Sequence, residues 1–412
     1  PAGIALPNRS LSPHFSALLE HRKRLVGMLV GLIIMPWTIT LLGCPNAVEG
    51  LRAIPTGALI KGNLFAFGWG IANVLCGICF VRIGVALTGA ILAGLGVSVG
   101  TIVPLIFKGS GLFKNAPDVA SPAGWILLSG VAVMLVGVVV ASVAGFGRDR
   151  ELKKLQQPSG GFLGGLIMTV IAGVLSTGTA FTFVYAQDPI VANLSVVNTG
   201  STIKVTVEGI GDLSGRYVVA QDGSIQLKHV GSIKVAGRSA QRAAEEIQKA
   251  VAATESLRRP EISPGRLVER SVPVVRVETG SIAATFAVWA VGLFAGALVN
   301  IAYAVYLLTK NKSWNVLTQS GKEFVLAIII GVNFSVAVTL MGKGMLLLGA
   351  LGGSVGWGIQ QAMQMTGGQA LGFISGEWRG VYGRPRFQMY VAIAILIAAA
   401  IMMAYGNTLT KG

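Results

Sequence analysis

Charged residues are scarce in this sequence, and acidic ones are the scarcest. Lys, Arg, Asp and Glu make up 12% of the 412 residues, whereas 53% are hydrophobic; soluble domains carry about 25% charged residues. Only 17 residues are acidic, and the three histidines, His14, His21 and His229, all fall outside the long hydrophobic runs. This composition predicts that lipid surrounds most of the chain, and it excludes a histidine relay for protons inside the membrane.

Cysteine is also rare, with three residues in the whole chain. Cys44, Cys76 and Cys79 lie within or at the edge of apolar segments, so no disulfide framework is predicted. Cys76 and Cys79 have a CxxC spacing, but no other thiol or histidine lies near them in the sequence to complete a metal site. We interpret them as small buried side chains.

The sequence has no Walker-type nucleotide loop and no arrangement typical of hydrolytic or redox catalysis. We therefore predict that it is not an enzyme, that it does not transport by hydrolysing ATP, and that it needs no cofactor or metal.

The sequence has no recognisable signal peptide and no initiating Met. We expect the chain to be truncated at its N-terminus.

Long hydrophobic runs and glycine are abundant. The 56 glycines sit mostly inside apolar runs, which is typical of membrane helices that pack closely through small side chains. About 20 apolar residues are needed to cross the hydrocarbon core. Runs of that length predict nine spans, at residues 25–44, 60–81, 84–107, 123–145, 162–185, 282–308, 322–341, 344–375 and 387–406.

Between residues 187 and 280 the long apolar runs stop and charged residues become frequent. Residues 203–207 alternate like a half-buried strand, and residues 216–220 and 224–228 flank an Asp222-Gly223 turn, which predicts a hairpin. Ser239 is a candidate N-cap for an amphipathic helix with Ala240, Ala244, Ile247 and Val251 on one face. The predicted domains are a first membrane half (1–186), an α+β insert (187–280) and a second membrane half (281–412).

The net charge of +16 is concentrated in short segments between the hydrophobic runs, so nucleic-acid binding is not predicted. Outside the insert, fourteen basic residues fall on one predicted side and six on the other. The larger set is Arg9, Arg22, Lys23, Arg24, Arg82, Arg148, Arg150, Lys153, Lys154, Lys310, Lys312, Arg379, Arg384 and Arg386, and the smaller is Arg52, Lys61, Lys108, Lys114, Lys343 and Lys411. The positive-inside rule places the larger set in the cytoplasm and the insert outside.

The membrane part resembles a known family in several motifs. These are residues 35–37 (Met-Pro-Trp), 69–73 (Trp-Gly-Ile-Ala-Asn), 172–176 (Ala-Gly-Val-Leu-Ser), 348–357 (Leu-Gly-Ala-Leu-Gly-Gly-Ser-Val-Gly-Trp) and 375–379 (Ser-Gly-Glu-Trp-Arg). In order and spacing they resemble the L-rhamnose/proton symporter family of the drug/metabolite transporter superfamily. This resemblance covers all nine runs and implies an all-α polytopic bundle of ten helices, with the first missing here, in a bacterial inner membrane. It also implies a monosaccharide and protons as substrates.

The insert is similar to a second family, the periplasmic domain of outer-membrane polysaccharide export proteins. Residues 211–215, 217–219, 222–225 and 230–237 carry this resemblance, which spans about 201–277 except for a divergent stretch at 257–270. It implies a periplasmic α+β domain, and we expect it to fold independently. A surface that contacts a glycan or a protein partner is one interpretation, and a passive insertion is the other.

A sugar site needs hydrogen-bonding amides and aromatic rings, which are costly in lipid unless they are used. Trp69 and Asn73 lie one turn apart in one run, and Trp357, Gln360 and Gln361 cluster in another. The glycine spacing 77/84, echoed at 342/349, makes these two runs counterparts in an inverted repeat. We predict that these five residues bind substrate, followed by Asn300 and Asn333; packing between helices is the alternative role.

Proton coupling needs a group that titrates, and the acids outside the insert lie nearly all in loops. Glu377, in the Gly-Glu-Trp-Arg motif, is our candidate because partial burial would raise its pKa; an ion pair with Arg379 is the alternative. The sequence therefore favours a secondary sugar transporter. A carrier or exporter of another small metabolite, and a membrane anchor for a periplasmic glycan-handling domain, remain as alternatives.

Overall fold

A computed structural model shows a helical bundle with a small β-containing domain between two of its helices. It describes residues 25–83, 85–103, 121–152, 162–207, 210–254, 274–279, 281–312, 314, 321–348, 355–376 and 378–409. The chain is thus a polytopic α-helical membrane protein with a small α+β insert, as the sequence predicted. The count of ten helices stays a prediction.

The helices of the membrane part follow the hydrophobic runs. They are α1 (Leu25–Gly43), α2 (Ala47–Ala53), α3 (Thr56–Ile83), α4 (Val85–Val97), α5 (Pro122–Glu151), α6 (Phe162–Ser176), α7 (Gly178–Thr182), α8 (Asp188–Leu194), α10 (Ile282–Ala287), α11 (Phe294–Lys310), α12 (Gly321–Leu348), α13 (Val355–Ser375) and α14 (Arg384–Leu409), with α9 in the insert. In the described residues, π-helical segments interrupt or extend them at Leu29–Ile34, Ser98–Ile102, Phe183–Gln187 and Val288–Gly292.

The described residues of all nine predicted runs fall on helices, but the runs are not nine equal spans. Six helical segments of the described chain are long and apolar enough to cross a membrane: α1, α3, α5, the continuous stretch from α6 to α8, α12 and α14. A seventh span forms if α10 and α11, which meet at a 58° bend, count as one. In the described residues α4 is a shorter apolar helix, and α13 is not among the six.

The seventh and eighth runs were divided at the wrong place. We predicted runs 322–341 and 344–375, but α12 continues without a break to Leu348, and α13 begins at Val355. Gly342 and Gly344 lie inside α12 and do not end it. Helices tolerate a glycine at a cost of about 1 kcal/mol relative to alanine, so a pair of glycines is a weak boundary signal.

Close packing through glycine fixes the position of α3. The backbone of α7 touches one side of α3 at Gly178, where an added Cβ would overlap the Phe65 carbonyl oxygen. On another side α11 approaches at Gly296, where an added Cβ would overlap the Ala66 carbonyl oxygen. Backbone atoms of two neighbouring α3 residues are therefore in direct contact with two other helices.

The described part of the insert contains two small sheets and the helix α9, packed around a core of their own. Antiparallel strands give the order β2 (Gly215–Val218), β1 (Thr202–Val207), β5 (Val275–Glu278) in one sheet, and β3 (Ser224–Leu227) pairs with β4 (Gly231–Lys234) in the other. The alternation predicted for residues 203–207 is confirmed, because Ile203, Val205 and Val207 are all buried. These residues pack with the inner face of α9 (Ala240–Ala253).

The hairpin predicted around Asp222-Gly223 is wrong in its pairing. The turn exists, and Ser224 donates from both its N–H and its hydroxyl to Asp222 Oδ1, which lowers the pKa of that carboxyl. However, β2 pairs with β1, whereas β3 pairs with β4 across a turn that contains His229 at φ 64°. The turn therefore connects two sheets, a distinction that local turn residues do not encode.

The helix of the insert was predicted correctly. The Ser239 hydroxyl accepts a hydrogen bond from the Arg242 N–H at 3.3 Å and so caps α9. All four residues predicted on one face, Ala240, Ala244, Ile247 and Val251, are buried. The helical stretch that precedes the insert continues through α8 to Leu194, so the first residues of the predicted range 187–280 are helical; the domain boundary itself stays a prediction.

Candidate functional site: a cavity beside a broken helix

A cavity of about 530 Å³ lies between α1, α3, α11 and α12. Its polar lining includes Trp69 and Asn73 from α3 and Asn300 and Tyr303 from α11. The remaining lining residues are Gly27, Met28, Leu32, Val74, Cys76, Gly77, Phe80, Ala304, Leu307, Ile330, Gly331 and Phe334. Ligand pockets commonly have volumes of about 300 to 1,000 Å³, so the space suits a monosaccharide.

Two of the predicted site residues enter the cavity from α3. Trp69 and Asn73 are four residues apart, so a helix places both on one face. The Trp69 ring lies against the backbone of α11, since a Cβ at Gly296 would come within 2.7 Å of its Cε3 atom. The glycine contacts that hold α3 in place therefore also position the Trp69 ring.

The third predicted residue, Asn300, faces the cavity from α11. It is 4% exposed, and its amide nitrogen donates to the Gly296 carbonyl one turn earlier at 2.8 Å. Tyr303 follows three residues later and stacks on Tyr306 with ring centroids 6.3 Å apart. Sequence analysis missed Tyr303, although its spacing of three residues from Asn300 was a usable signal.

The span formed by α10 and α11 is broken next to this cavity. After the π-helical segment Val288–Gly292, the chain bends by 58° and resumes as α11 at Phe294. Such a break leaves backbone groups without their helical partners, which is tolerated in lipid only where protein or a cavity satisfies them. Discontinuous helices of this kind form substrate sites in many transporters.

Asn63 of α3 satisfies the backbone on both sides of the break. Its amide nitrogen donates to the Val291 carbonyl at 2.7 Å, and its amide oxygen accepts from the Ala295 N–H at 2.9 Å. The same nitrogen is 3.0 Å from the Leu59 carbonyl in its own helix. The sequence analysis missed Asn63, because a single amide in an apolar run does not reveal which backbone it meets.

Aromatic rings surround the break. Trp289, in the π-helical segment, makes edge-on contacts with Trp69 at 6.1 Å, with Phe334 at 6.0 Å and with Phe183 at 5.8 Å between ring centroids. Trp69 and Phe334 line the cavity, whereas Trp289 lies behind them. Sequence analysis did not select Trp289.

The predicted cluster on α13 lies apart from the lining of this cavity. Trp357 is buried, and its indole N–H donates to the Gly96 carbonyl of α4 at 3.1 Å. The Gln360 amide nitrogen donates to Gln364 in its own helix at 2.8 Å, and Gln361 lies near Gly96. The Trp357 bond joins α13 to α4, and the Gln360 bond stays within α13; a role of these three residues in binding stays a prediction.

Of the other two predicted residues, Asn333 does not line the cavity. Asn333 is exposed on α12, next to the lining residue Phe334. Glu377, the candidate for proton coupling, lies outside the described residues. The structure thus brings Trp69, Asn73 and Asn300 together, and their role in binding stays a prediction.

The lining is suited to an uncharged polar ligand. None of the described residues that form the cavity is Asp, Glu, Lys, Arg or His. Amide, indole and hydroxyl groups at its wall can hydrogen-bond sugar hydroxyls, and Phe80 and Phe334 offer apolar ring surface. Within the described part of the chain, no group of three or more His, Cys, Asp or Glu side chains is placed to hold a metal ion.

Comparison with known proteins relates the two parts of the chain to two families. Residues 20–213 match the family model of the L-rhamnose-proton symport protein, and residues 191–263 match that of the polysaccharide biosynthesis/export protein. The first range contains Trp69 and Asn73, whereas α10 to α14 lie beyond it. The resemblance of the second half to symporters therefore stays a prediction.

Individual relatives agree with the first match. The L-rhamnose-proton symporters of Yersinia pestis bv. Antiqua (strain Antiqua) and Yersinia pseudotuberculosis serotype I (strain IP32953) are each 30% identical over 156 residues, which is 38% of this chain. The aligned part covers 44% of each symporter, so the chain spans less than half the length of these curated relatives. No solved structure matches. The chain is therefore similar to L-rhamnose-proton symport proteins over residues 20–213 and to polysaccharide biosynthesis/export proteins over residues 191–263.

Proposed function

We propose that this protein is a secondary transporter that moves a neutral monosaccharide, L-rhamnose or a close relative, across the bacterial inner membrane together with protons. The observation that carries the proposal is the uncharged cavity whose α3 wall lies inside the symporter-like range. Its substrate would contact Trp69, Asn73, Asn300 and Tyr303. A carrier of another small neutral metabolite would use the same walls.

The insert supports a second candidate function. Its match to export proteins favours a membrane anchor for a periplasmic domain that contacts a glycan or a protein. In that case the bundle would hold the insert at the membrane without moving sugar. The two functions differ in a measurable way, because only the first requires transport.

Uptake of radiolabelled L-rhamnose into proteoliposomes that contain the full chain tests these alternatives. We expect uphill accumulation when an inward proton gradient is imposed and only equilibration without it. Glu377 is our proposed coupling residue, so Glu377→Gln should abolish accumulation and leave exchange of sugar across the membrane measurable. No uptake under either condition would favour the anchor, whereas accumulation unaffected by the gradient would contradict proton coupling.

Alanine at Trp69, Asn73 or Asn300 should weaken sugar binding. Each substitution removes a hydrogen-bonding or stacking group from the cavity wall, and the loss of one such partner costs about 1 to 3 kcal/mol, or roughly 5- to 150-fold in Kd. Gln360→Ala is the control, because that side chain bonds to Gln364 outside the cavity. Equilibrium binding of labelled sugar to purified protein measures the effect. Equal loss in Gln360→Ala would place the site at α13 instead.

The insert is proposed to face the periplasm, since the short loops on the opposite side carry more basic residues. In a chain without its three cysteines, Ser232→Cys should react with a membrane-impermeant maleimide in intact spheroplasts, because Ser232 is exposed on β4. Ser224→Cys should react slowly on either side, because Ser224 is buried. Thr309→Cys, at the opposite end of the bundle, should react only after lysis. Labelling of Ser232→Cys only after lysis would reverse the orientation.

A further inference from the structure

The indole N–H of Trp289 has no hydrogen-bond partner among the described residues, although the residue is only 3% exposed. Buried polar groups in proteins are nearly always paired, so an unpaired one calls for a specific explanation. An indole nitrogen can only donate. The position therefore lacks an acceptor.

The surroundings of Trp289 connect it to the cavity. Trp289 packs edge-on against Trp69 and Phe334, which both line the cavity. Trp289 also lies at the helix break, where Asn63 occupies the nearby Val291 carbonyl and Ala295 N–H. With these backbone groups paired, the Trp289 N–H is left as a donor beside the cavity wall.

We propose that Trp289 forms the inner end of the sugar site, where its indole N–H donates to a hydroxyl or ring oxygen of the sugar once Trp69 or Phe334 changes rotamer. This inference rests on the proposed function and names a binding residue for it. A sugar supplies the acceptor that the described residues do not. Trp289 would thereby favour sugars that carry an oxygen at the position that reaches its N–H.

Trp378 provides a matched control within the same chain. It is 2% exposed, and its indole N–H also has no partner among the described residues, but it packs on Phe373 and Arg148 and does not line the cavity. Phenylalanine at either position removes an unpaired N–H and keeps an aromatic ring. Only the change at Trp289 should alter sugar binding.

Binding of L-rhamnose and of its single-deoxy analogues to the purified full chain tests the proposal. Trp289→Phe should raise the Kd for L-rhamnose about 10-fold, the effect of one lost hydrogen bond, and Trp378→Phe should leave it unchanged. For one analogue, the one that lacks the accepting oxygen, Trp289→Phe should have no further effect. Equal affinity of wild type and Trp289→Phe for L-rhamnose would overturn the proposal.

A second measurement needs no substitution and holds even if Trp289→Phe does not fold. The chain has seven tryptophans, and with nitrogen-15 in their indole groups, saturating L-rhamnose should move an indole N–H resonance downfield as it gains an acceptor. No movement of any of the seven would overturn the proposal. If wild-type protein does not bind L-rhamnose at all, the proposed function fails and this inference falls with it. If L-rhamnose binds wild type and Trp289→Phe with the same Kd, the inference about Trp289 is refuted and the proposed function stands.

Discussion

Replacement of Asn63 by alanine is expected to destabilise the bundle by about 2 to 6 kcal/mol, because it leaves two partly buried backbone groups unpaired at about 1 to 3 kcal/mol each. The Asn63 amide is the partner of the Val291 carbonyl and the Ala295 N–H on the two sides of the helix break. Without it these groups lose their partner inside a membrane-spanning segment, where lipid supplies no replacement. Sugar transport should be lost, since Trp289 at the break packs against Trp69 and Phe334, which line the cavity. Thermal unfolding in detergent and uptake in proteoliposomes measure the two effects.

Asn193→Ala is the matched control. Its amide donates to the Pro189 carbonyl one turn earlier at 2.8 Å, a bond within α8 that links no other helix. We expect its melting temperature and uptake to stay close to those of the unaltered protein. If Asn63→Ala is as stable as Asn193→Ala, then Asn63 does not hold the break together.

Alanine at Gly178 or Gly296 should have the second largest effect. The added Cβ would overlap the carbonyl oxygen of Phe65 or Ala66, and these are backbone atoms in the middle of α3 that cannot rotate away. Overpacking costs about 1 to 3 kcal/mol and occasionally more, and we expect the upper end here. The displaced α3 would carry Trp69 with it, so sugar affinity should fall together with the melting temperature.

Gly367→Ala is expected to act in the opposite direction. An added Cβ there meets no atom within 4 Å, and alanine favours a helix over glycine by about 1 kcal/mol. The melting temperature should therefore stay the same or rise. Equal losses at positions 178 and 367 would show that glycine flexibility, and not close packing, is what the bundle requires.

The sequence predicted most of the helices because lipid imposes a minimum length of apolar chain. It could not predict the break between α10 and α11. The stretch Trp-Ala-Val-Gly-Leu-Phe at residues 289–294 is apolar throughout, and Asn63, whose amide bonds to the backbone on both sides of the 58° bend, lies more than 200 residues earlier in the chain. Long-range pairing of this kind leaves no local pattern.

The candidate site was predicted in part. Trp69, Asn73 and Asn300 stand out in apolar runs because polar groups are costly there, and the structure places all three on one cavity. The same reasoning also selected Trp357, whose N–H bonds to the Gly96 carbonyl and joins two helices. Residue type alone does not separate these two uses. Trp289 was missed, since its unpaired N–H becomes visible only when its neighbours are known.

The pairing of β1 with β5 has a consequence for the order in which the chain is made. Val207 of β1 lies opposite Val275 of β5. The central strand β1 can therefore pair with β5 only after almost the whole insert has been synthesised. Closing so long a loop carries an entropic cost, but one that grows only slowly with length. Because Ser281 caps α10 three residues after β5 ends, completion of this sheet brings the start of the second membrane half beside the end of the first. A nascent chain stopped before residue 275 should therefore hold an incomplete sheet next to a membrane half that still lacks its partner.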